Sequence, residues 1–136
     1  MNNRQGKFTG YPIIFIPGNA GSYEQIRSLA SVAHQMFEDG MRKVRLDFFT
    51  IDYNEERAGI FGQILSTQTK FLAQCIIRVQ QLYSSNGRTN VPCILIGHSI
   101  GGVIARGLMV EPWFDPSCVH LLITLASPHR KPGKVE

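Results

Sequence analysis

The stretch that decides the fold is LIGHSIGGVIAR, Leu95 to Arg106. It sets Gly97, Gly101 and Gly102 around one serine, Ser99, between the strand-forming run PCILI and a segment with helical spacing. Glycine weakens regular structure because it has more backbone freedom to lose on ordering, so a cluster of them at a strand-to-helix junction points to a geometric need. The pattern Gly-x-Ser-x-Gly supplies that need. In a turn this tight, the residues two positions either side of the serine press on neighbouring backbone and must lack a Cβ. Gly97 and Gly101 fill those positions. The turn lifts the Ser99 hydroxyl above the end of a sheet, and the helix that follows directs its free amides and positive end to where an oxyanion would form. The backbone N–H of Ile100 is the expected first donor. His98 and Gly102 complete the elbow, His98 as structural support beneath the serine.

Working outward, the rest of the chain supplies the sheet that such an elbow requires. PIIFI (Pro12–Ile16) and PCILI (Pro92–Ile96) are short, wholly apolar runs suited to strands buried on both faces. VRLDFFTI (Val44–Ile51) and VHLLITL (Val119–Leu125) read as two further strands. Between the first two strands, Ser22 and Gln25 match a capping box, and Ile26, Leu29, Ala30, Ala33, Met36 and Phe37 recur at helical spacing until Gly40. A longer amphipathic helix follows, with Ile64, Leu65, Phe71, Leu72, Ile76, Val79, Leu82 and Tyr83 on one face, stopping at SSNGRTN. Ile100 to Val110 is the third helix, ended by Pro112. The order β-α-β-α-β-α-β predicts an α/β fold of about four parallel strands with helices on both faces. Ligands of such sheets bind beyond the carboxyl ends of the strands, where PGNAGS, DYNEER and GHSIGG should converge. The second oxyanion donor is expected from the loop after the first strand, through the backbone N–H of Asn19, with Ala20 next.

Composition bounds the alternatives. With 136 residues, 43% hydrophobic and 18% charged, the chain is an ordinary globular domain. Its net charge of +4 comes from scattered Lys and Arg with no aromatic-interleaved basic stripe, so no nucleic-acid partner is expected. The phosphate-cradling motifs G-x-x-x-x-G-K-[ST] and G-x-G-x-x-G do not occur. Cys75, Cys93 and Cys118 are odd in number and have no CxxC pairing, so neither a zinc site nor a complete disulfide framework is indicated, and no metal or cofactor is expected. No apolar run approaches the ~20 residues of a membrane span, and MNNRQGKFTG has no signal-peptide core, so any membrane association is expected through sequence absent from this chain.

The base that a serine nucleophile needs is harder to find. His34 and His120 have no obvious partner, and His129, in LASPHRKPG, follows a strand on the correct rim. Chain order argues against His129: α/β-hydrolases run Ser, then acid, then His, and the only acids between Ser99 and His129 are Glu111 and Asp115, both ahead of the fourth strand. His129 is therefore expected to shape the rim loop. Asp52, Glu55 and Glu56 read as a solvated rim loop.

FIPGNAGSYEQIRSLAS, DFFTIDYNEE, QTKFLAQCI, GHSIGGVIAR and LLITLASPH, in this order and at these separations, resemble the catalytic domain of the GPI inositol-deacylase family, lipase-like proteins of the endoplasmic reticulum. The resemblance runs from Gly10 to about His129. It implies an α/β-hydrolase fold, here partial, with residues 1–10 as a lead-in and 11–136 as the front part of the domain, incomplete at its C-terminus. It also implies a serine esterase whose nucleophile is Ser99, acting on the acyl ester of the inositol ring in acylated GPI lipid or GPI-anchored proteins and so aiding their exit from the endoplasmic reticulum, where the family resides in the membrane. The acid and histidine of the triad are expected downstream of this chain. A general lipase or thioesterase, and a truncated non-catalytic chain that binds a lipid or partner, are the other readings.

Overall fold

The computed structural model describes residues 8–18, 24–41, 43–52 and 61–129. In chain order these form β1 (Tyr11–Ile16), α1 (Glu24–Glu38), β2 (Leu46–Thr50), α2 (Phe61–Ser84), β3 (Cys93–His98), α3 (Ile100–Met109), a single 3-10 turn at Pro116–Cys118, and β4 (Val119–Leu125). The sheet has four parallel strands in the order β2-β1-β3-β4.

The apolar runs become central strands because they are buried on both sides. On β1, Ile14 and Ile16 join Leu95 of β3 in a core capped by Leu72, Ile76 and Val79 of α2 and Ile104, Ala105 and Leu108 of α3. Ile13 and Phe15 point to the other face, where they meet Ile96 and Ile26 of α1. From β1 the chain passes through α1 to β2 on one flank, then through α2 to β3 on the other. The helices after β1 and β3 thus lie on opposite faces, the arrangement in which parallel sheets bind ligands beyond the carboxyl ends of their strands. Both long helices stop in the same way: Gly40 (φ 72°) and Gly87 (φ 81°) turn left-handed, and Met41 N–H reaches Met36 C=O at 3.0 Å while Arg88 N–H reaches Tyr83 C=O at 3.1 Å.

The far end of the sheet is closed by a polar cluster. Asp47 Oδ2 accepts from the Tyr83 hydroxyl at 2.6 Å and from Gly10 N–H at 2.9 Å, and Arg45 Nε stands 3.7 Å from Oδ1. Arg88 donates to Gly10 C=O at 2.6 Å and lies over the Tyr83 ring. Phe8 packs on Phe49 and Tyr83. Burial, reinforced by the bond to the Asp47 carboxylate, pushes the fully buried Tyr83 phenol up, so it stays a donor at any physiological pH.

Several boundaries and faces differ from the sequence expectation. β2 is shorter than Val44–Ile51, since Val44 is exposed ahead of the strand, whereas β3 runs past Ile96 through Gly97 and His98 because β1 and β4 both pair with it there. The buried stripe of α1 is narrower than its periodicity suggests: Ile26 and Ala33 are buried, but Leu29 and Met36 are exposed. Phe71 of α2 is likewise exposed, and the side chains of Ile64 and Leu65 lie outside the described part of that helix. Helices flank both faces, yet α1 does not reach β4, whose Leu121, Ile123 and Leu125 remain 48%, 38% and 45% exposed. Ser22 of the expected capping box is outside the described residues.

Tyr83→Phe should remove one hydrogen bond from Asp47 without altering the packed ring, and should destabilise the chain by roughly 1–3 kcal/mol, the usual range for a bond to a charged acceptor. Urea titration should show a lower midpoint at unchanged slope; an unchanged midpoint would mean that water replaces the phenol at Asp47 without loss.

Candidate functional site

Ser99 sits between β3 and α3 with φ 55° and ψ −122°, a backbone region that L-residues occupy only when the surroundings enforce it. What enforces it is backbone on backbone. A Cβ on Gly97 would lie 2.5 Å from Gly102 Cα, and one on Gly101 would run into the Ile16 carbonyl oxygen and stand 2.8 Å from its carbon. A Cβ on Gly102 would collide with Ser127 Oγ. Ser99 N–H donates to Leu125 C=O at 2.8 Å, and Ser99 C=O accepts from Gly102 N–H at 3.1 Å. All three glycines singled out in the sequence therefore stand where side chains cannot.

The strained geometry also releases the hydroxyl. A serine preceding a helix ordinarily caps one of its first amides, but Ser99 makes no such side-chain bond. The hydroxyl is thus not consumed by the helix, and the N–H of Ile100, the first residue of α3, belongs to the amides that have no partner within a helix. Opposite them comes the loop after β1. A Cβ on Gly18 would be 2.9 Å from Ser99 Cβ and 3.2 Å from His98 C=O, so this loop starts in contact with the serine. Asn19 and Ala20, the expected second donors, lie outside the described residues, immediately beyond Gly18. Asp52 is exposed at the end of β2, two strands away from β3, and Glu55 and Glu56 are outside the described residues.

The histidines near the elbow do not act on Ser99 here. His98 Nδ1 is buried close to Gly18 and has no hydrogen-bond partner among the described residues. His129 has both ring nitrogens engaged: Nδ1 lies 3.1 Å from Arg106 Nη1 and Nε2 lies 3.2 Å from Thr124 Oγ1. A guanidinium only donates, so Nδ1 is the acceptor and the ring proton sits on Nε2. Arg106 also donates to Pro128 C=O at 3.1 Å, which ties α3 to the turn after β4. Arg106 and Thr124 thus hold the His129 ring at the turn after β4. The acids ahead of β4 are equally occupied or remote: Asp115 accepts from Ser117 N–H at 3.0 Å, a bond that holds its carboxyl below the usual range, at the opposite end of β4 from Ser99. His34 and His120 are exposed on α1 and β4.

Residues that the sequence did not single out are Gly18, within the PGNAGS loop it did mark, and Ala126 and Ser127. Ala126 takes φ 50°, a second left-handed residue beside the elbow, and Ser127 fills the space over Gly102. For Gly18 the signal was present, since it follows Pro17 at a strand end; for Ala126 and Ser127 no local pattern distinguishes them.

A parallel sheet whose third strand ends in a glycine-flanked, left-handed serine over a helix N-terminus defines an α/β-hydrolase-type domain. The chain belongs to the PGAP1-like alpha/beta domain family, whose family model matches residues 7–135. It is similar to the GPI inositol-deacylase of Mus musculus, 42% identical over 124 residues that make up 91% of this chain and 13% of that protein. The GPI inositol-deacylases of Drosophila melanogaster (42% over 127 residues, 93% of this chain) and Xenopus laevis (39% over 130 residues, 96%) match similarly. The chain spans only 13% and 14% of the length of these two relatives.

Gly97→Ala and Gly101→Ala should each destabilise the chain by about 1–3 kcal/mol or more, since the obstructing atoms are backbone and cannot swing aside. Ser99→Gly should melt above Ser99→Ala, because relief of ~1–2 kcal/mol of left-handed strain outweighs the ~0.4–1 kcal/mol of added chain entropy. Thermal melts of the four variants test both statements, and equal melting of Ser99→Gly and Ser99→Ala would refute the strain.

Proposed function

We propose that Ser99 is the nucleophile of a serine esterase of the GPI inositol-deacylase type, and that residues 11–136 form the front part of its hydrolase domain, with 1–10 leading in. The single observation that carries this reading is the uncapped, left-handed serine at the carboxyl end of β3, held against Gly18 at the end of β1. The family and the name shared by the relatives supply the substrate class: an acyl ester on the inositol of a GPI lipid or GPI-anchored protein.

In this reading Ser99 Oγ attacks the acyl carbonyl, and the carbonyl oxygen takes up negative charge beside the N–H groups of Ile100 and Asn19. The tetrahedral intermediate collapses by expelling the inositol oxygen, which needs a proton from the histidine that first accepted the serine's. Water then releases the fatty acid by the same steps in reverse order of roles. His129, already bound through both ring nitrogens to Arg106 and Thr124, is not assigned as that histidine. Glycines at 97, 101 and 102 hold the elbow, and His98 fills the space below it. Among the described residues no helix is long and apolar enough to cross a membrane, so residence in the endoplasmic reticulum membrane is assigned to other parts of the protein.

In the full-length protein, a fluorophosphonate probe should label Ser99, and Ser99→Ala should abolish both labelling and release of the inositol-linked acyl chain. Asn19→Pro, which removes the N–H, should lower turnover by on the order of 100-fold, while Asn19→Ala should be milder. Wild-type acyl release by Ser99→Ala would sink the assignment, and equal cleavage of simple acyl esters and acylated inositol would shift it to a general lipase or thioesterase.

A further inference from the structure

The strand register brings together two cysteines that the sequence spacing left unrelated. Cys93 opens β3 and is paired across the sheet with Val119, the first residue of β4. Cys118 directly precedes Val119 and ends the 3-10 turn that delivers the chain into β4. Parallel neighbours stand ~4.8 Å apart and consecutive Cα atoms ~3.8 Å apart, so the Cα atoms of Cys93 and Cys118 fall roughly 5–7 Å from each other, within or near the ~4.4–6.8 Å span of disulfides. Because Cys118 sits in the turn, outside the alternation of a regular strand, its side chain is free to join the same face as that of Cys93. It does: Cys93 is a fully buried member of the core under α2 and α3, and Cys118 packs against that same core. The register shift between Cys93 and Ile94 lies at this point of the ladder, where backbone pairing is weakest. All three cysteines are thiols in this structure.

We infer that Cys93 and Cys118 form a disulfide when the protein matures under oxidising conditions, covalently tying the start of β4 to β3. Such a bond has a mechanical use. Among the described residues β4 pairs with β3 alone, and its Leu121, Ile123 and Leu125 are exposed. At its carboxyl end, Leu125 C=O holds Ser99 N–H. A bond at its amino end fixes the register from which that contact is placed.

The chemistry balances with a small-molecule disulfide such as oxidised glutathione as electron acceptor. The half-buried Cys118, as thiolate, attacks the glutathione disulfide and expels one glutathione; Cys93, as thiolate, then attacks Sγ of Cys118 and expels the second. Two protons and two electrons leave the protein, and one disulfide is exchanged for another. Burial, with a further contribution from Cys118, pushes the Cys93 thiol up to about 12. The second step is therefore slow once β3 is buried and fast while the chain is folding. Cys75, whose thiol burial also pushes up, is on α2 in the adjacent layer and is left as a free thiol.

The three cysteines fall in separate tryptic peptides, 71–78, 89–106 and 107–130, because Lys70, Arg78, Arg88, Arg106 and Arg130 divide them. The 136-residue chain, refolded in a buffer of oxidised and reduced glutathione, is blocked with an alkylating reagent, digested without reduction and analysed by mass spectrometry. The expected product is peptide 89–106 joined to 107–130, two hydrogens lighter than their sum, with Cys75 alkylated. Cys75→Ser should keep that product and Cys118→Ser should lose it. Oxidised wild type should melt several degrees above its reduced form, a difference absent in Cys118→Ser. Alkylation of all three cysteines, or an even mixture of the three pairings, would overturn the inference. None of these readouts depends on ester hydrolysis, so the disulfide and the esterase reading stand or fall separately.

Discussion

The first turn of α3 rests directly on the last carbonyl of β1, with no side chain between Gly101 and Ile16. Most of what the chain builds follows from that approach. It fixes the angle at which α3 leaves β3, which drops Ile104, Ala105 and Leu108 onto Leu95 and into the core shared with α2. It forces Ser99 into a left-handed conformation and so keeps its hydroxyl out of the helix cap. It also brings Gly18 against the serine, because the chain has only Pro17 in which to turn after Ile16. A packed elbow of backbone atoms tolerates little displacement, since there are no flexible side-chain ends to absorb it.

β4 holds the elbow from the other side. Leu125 C=O accepts from Ser99, Ala126 turns left-handed, and Ser127 seats itself over Gly102. Arg106 then reaches back from the last turn of α3 to Pro128 and His129. The serine is thus clamped between the ends of β1 and β4, and its position is decided by three strands rather than by its own loop. Two left-handed non-glycine residues meeting at one rim are stored strain, which a core this well packed can sustain.

The opposite end of the sheet is arranged to be inert. Asp47 is satisfied by Tyr83, Gly10 and Arg45, and Asp115 is satisfied by Ser117. Those acids are occupied at the end of the sheet away from Ser99, and His129 is bound through both ring nitrogens.

Much of this was legible in the sequence because it is encoded locally. Strand and helix periodicities and the Gly-x-Ser-x-Gly spacing are one-dimensional signals, and the sheet and the elbow follow from them. What escaped were facts about partners. Leu29 and Met36 keep the helical period of α1 yet face solvent, because periodicity names a face without saying how wide a surface meets it. Leu121, Ile123 and Leu125 lie in an apolar strand run yet are exposed, because burial depends on what packs against that strand. Cys93 and Cys118 looked unrelated until parallel pairing set one beside the other. The sequence by itself determined the order of elements and the residue types at the turn, since both depend on neighbours in the chain. The tertiary structure alone decided which carbonyls, thiols and apolar faces meet, because those contacts are set by strand register and helix placement across long sequence separations.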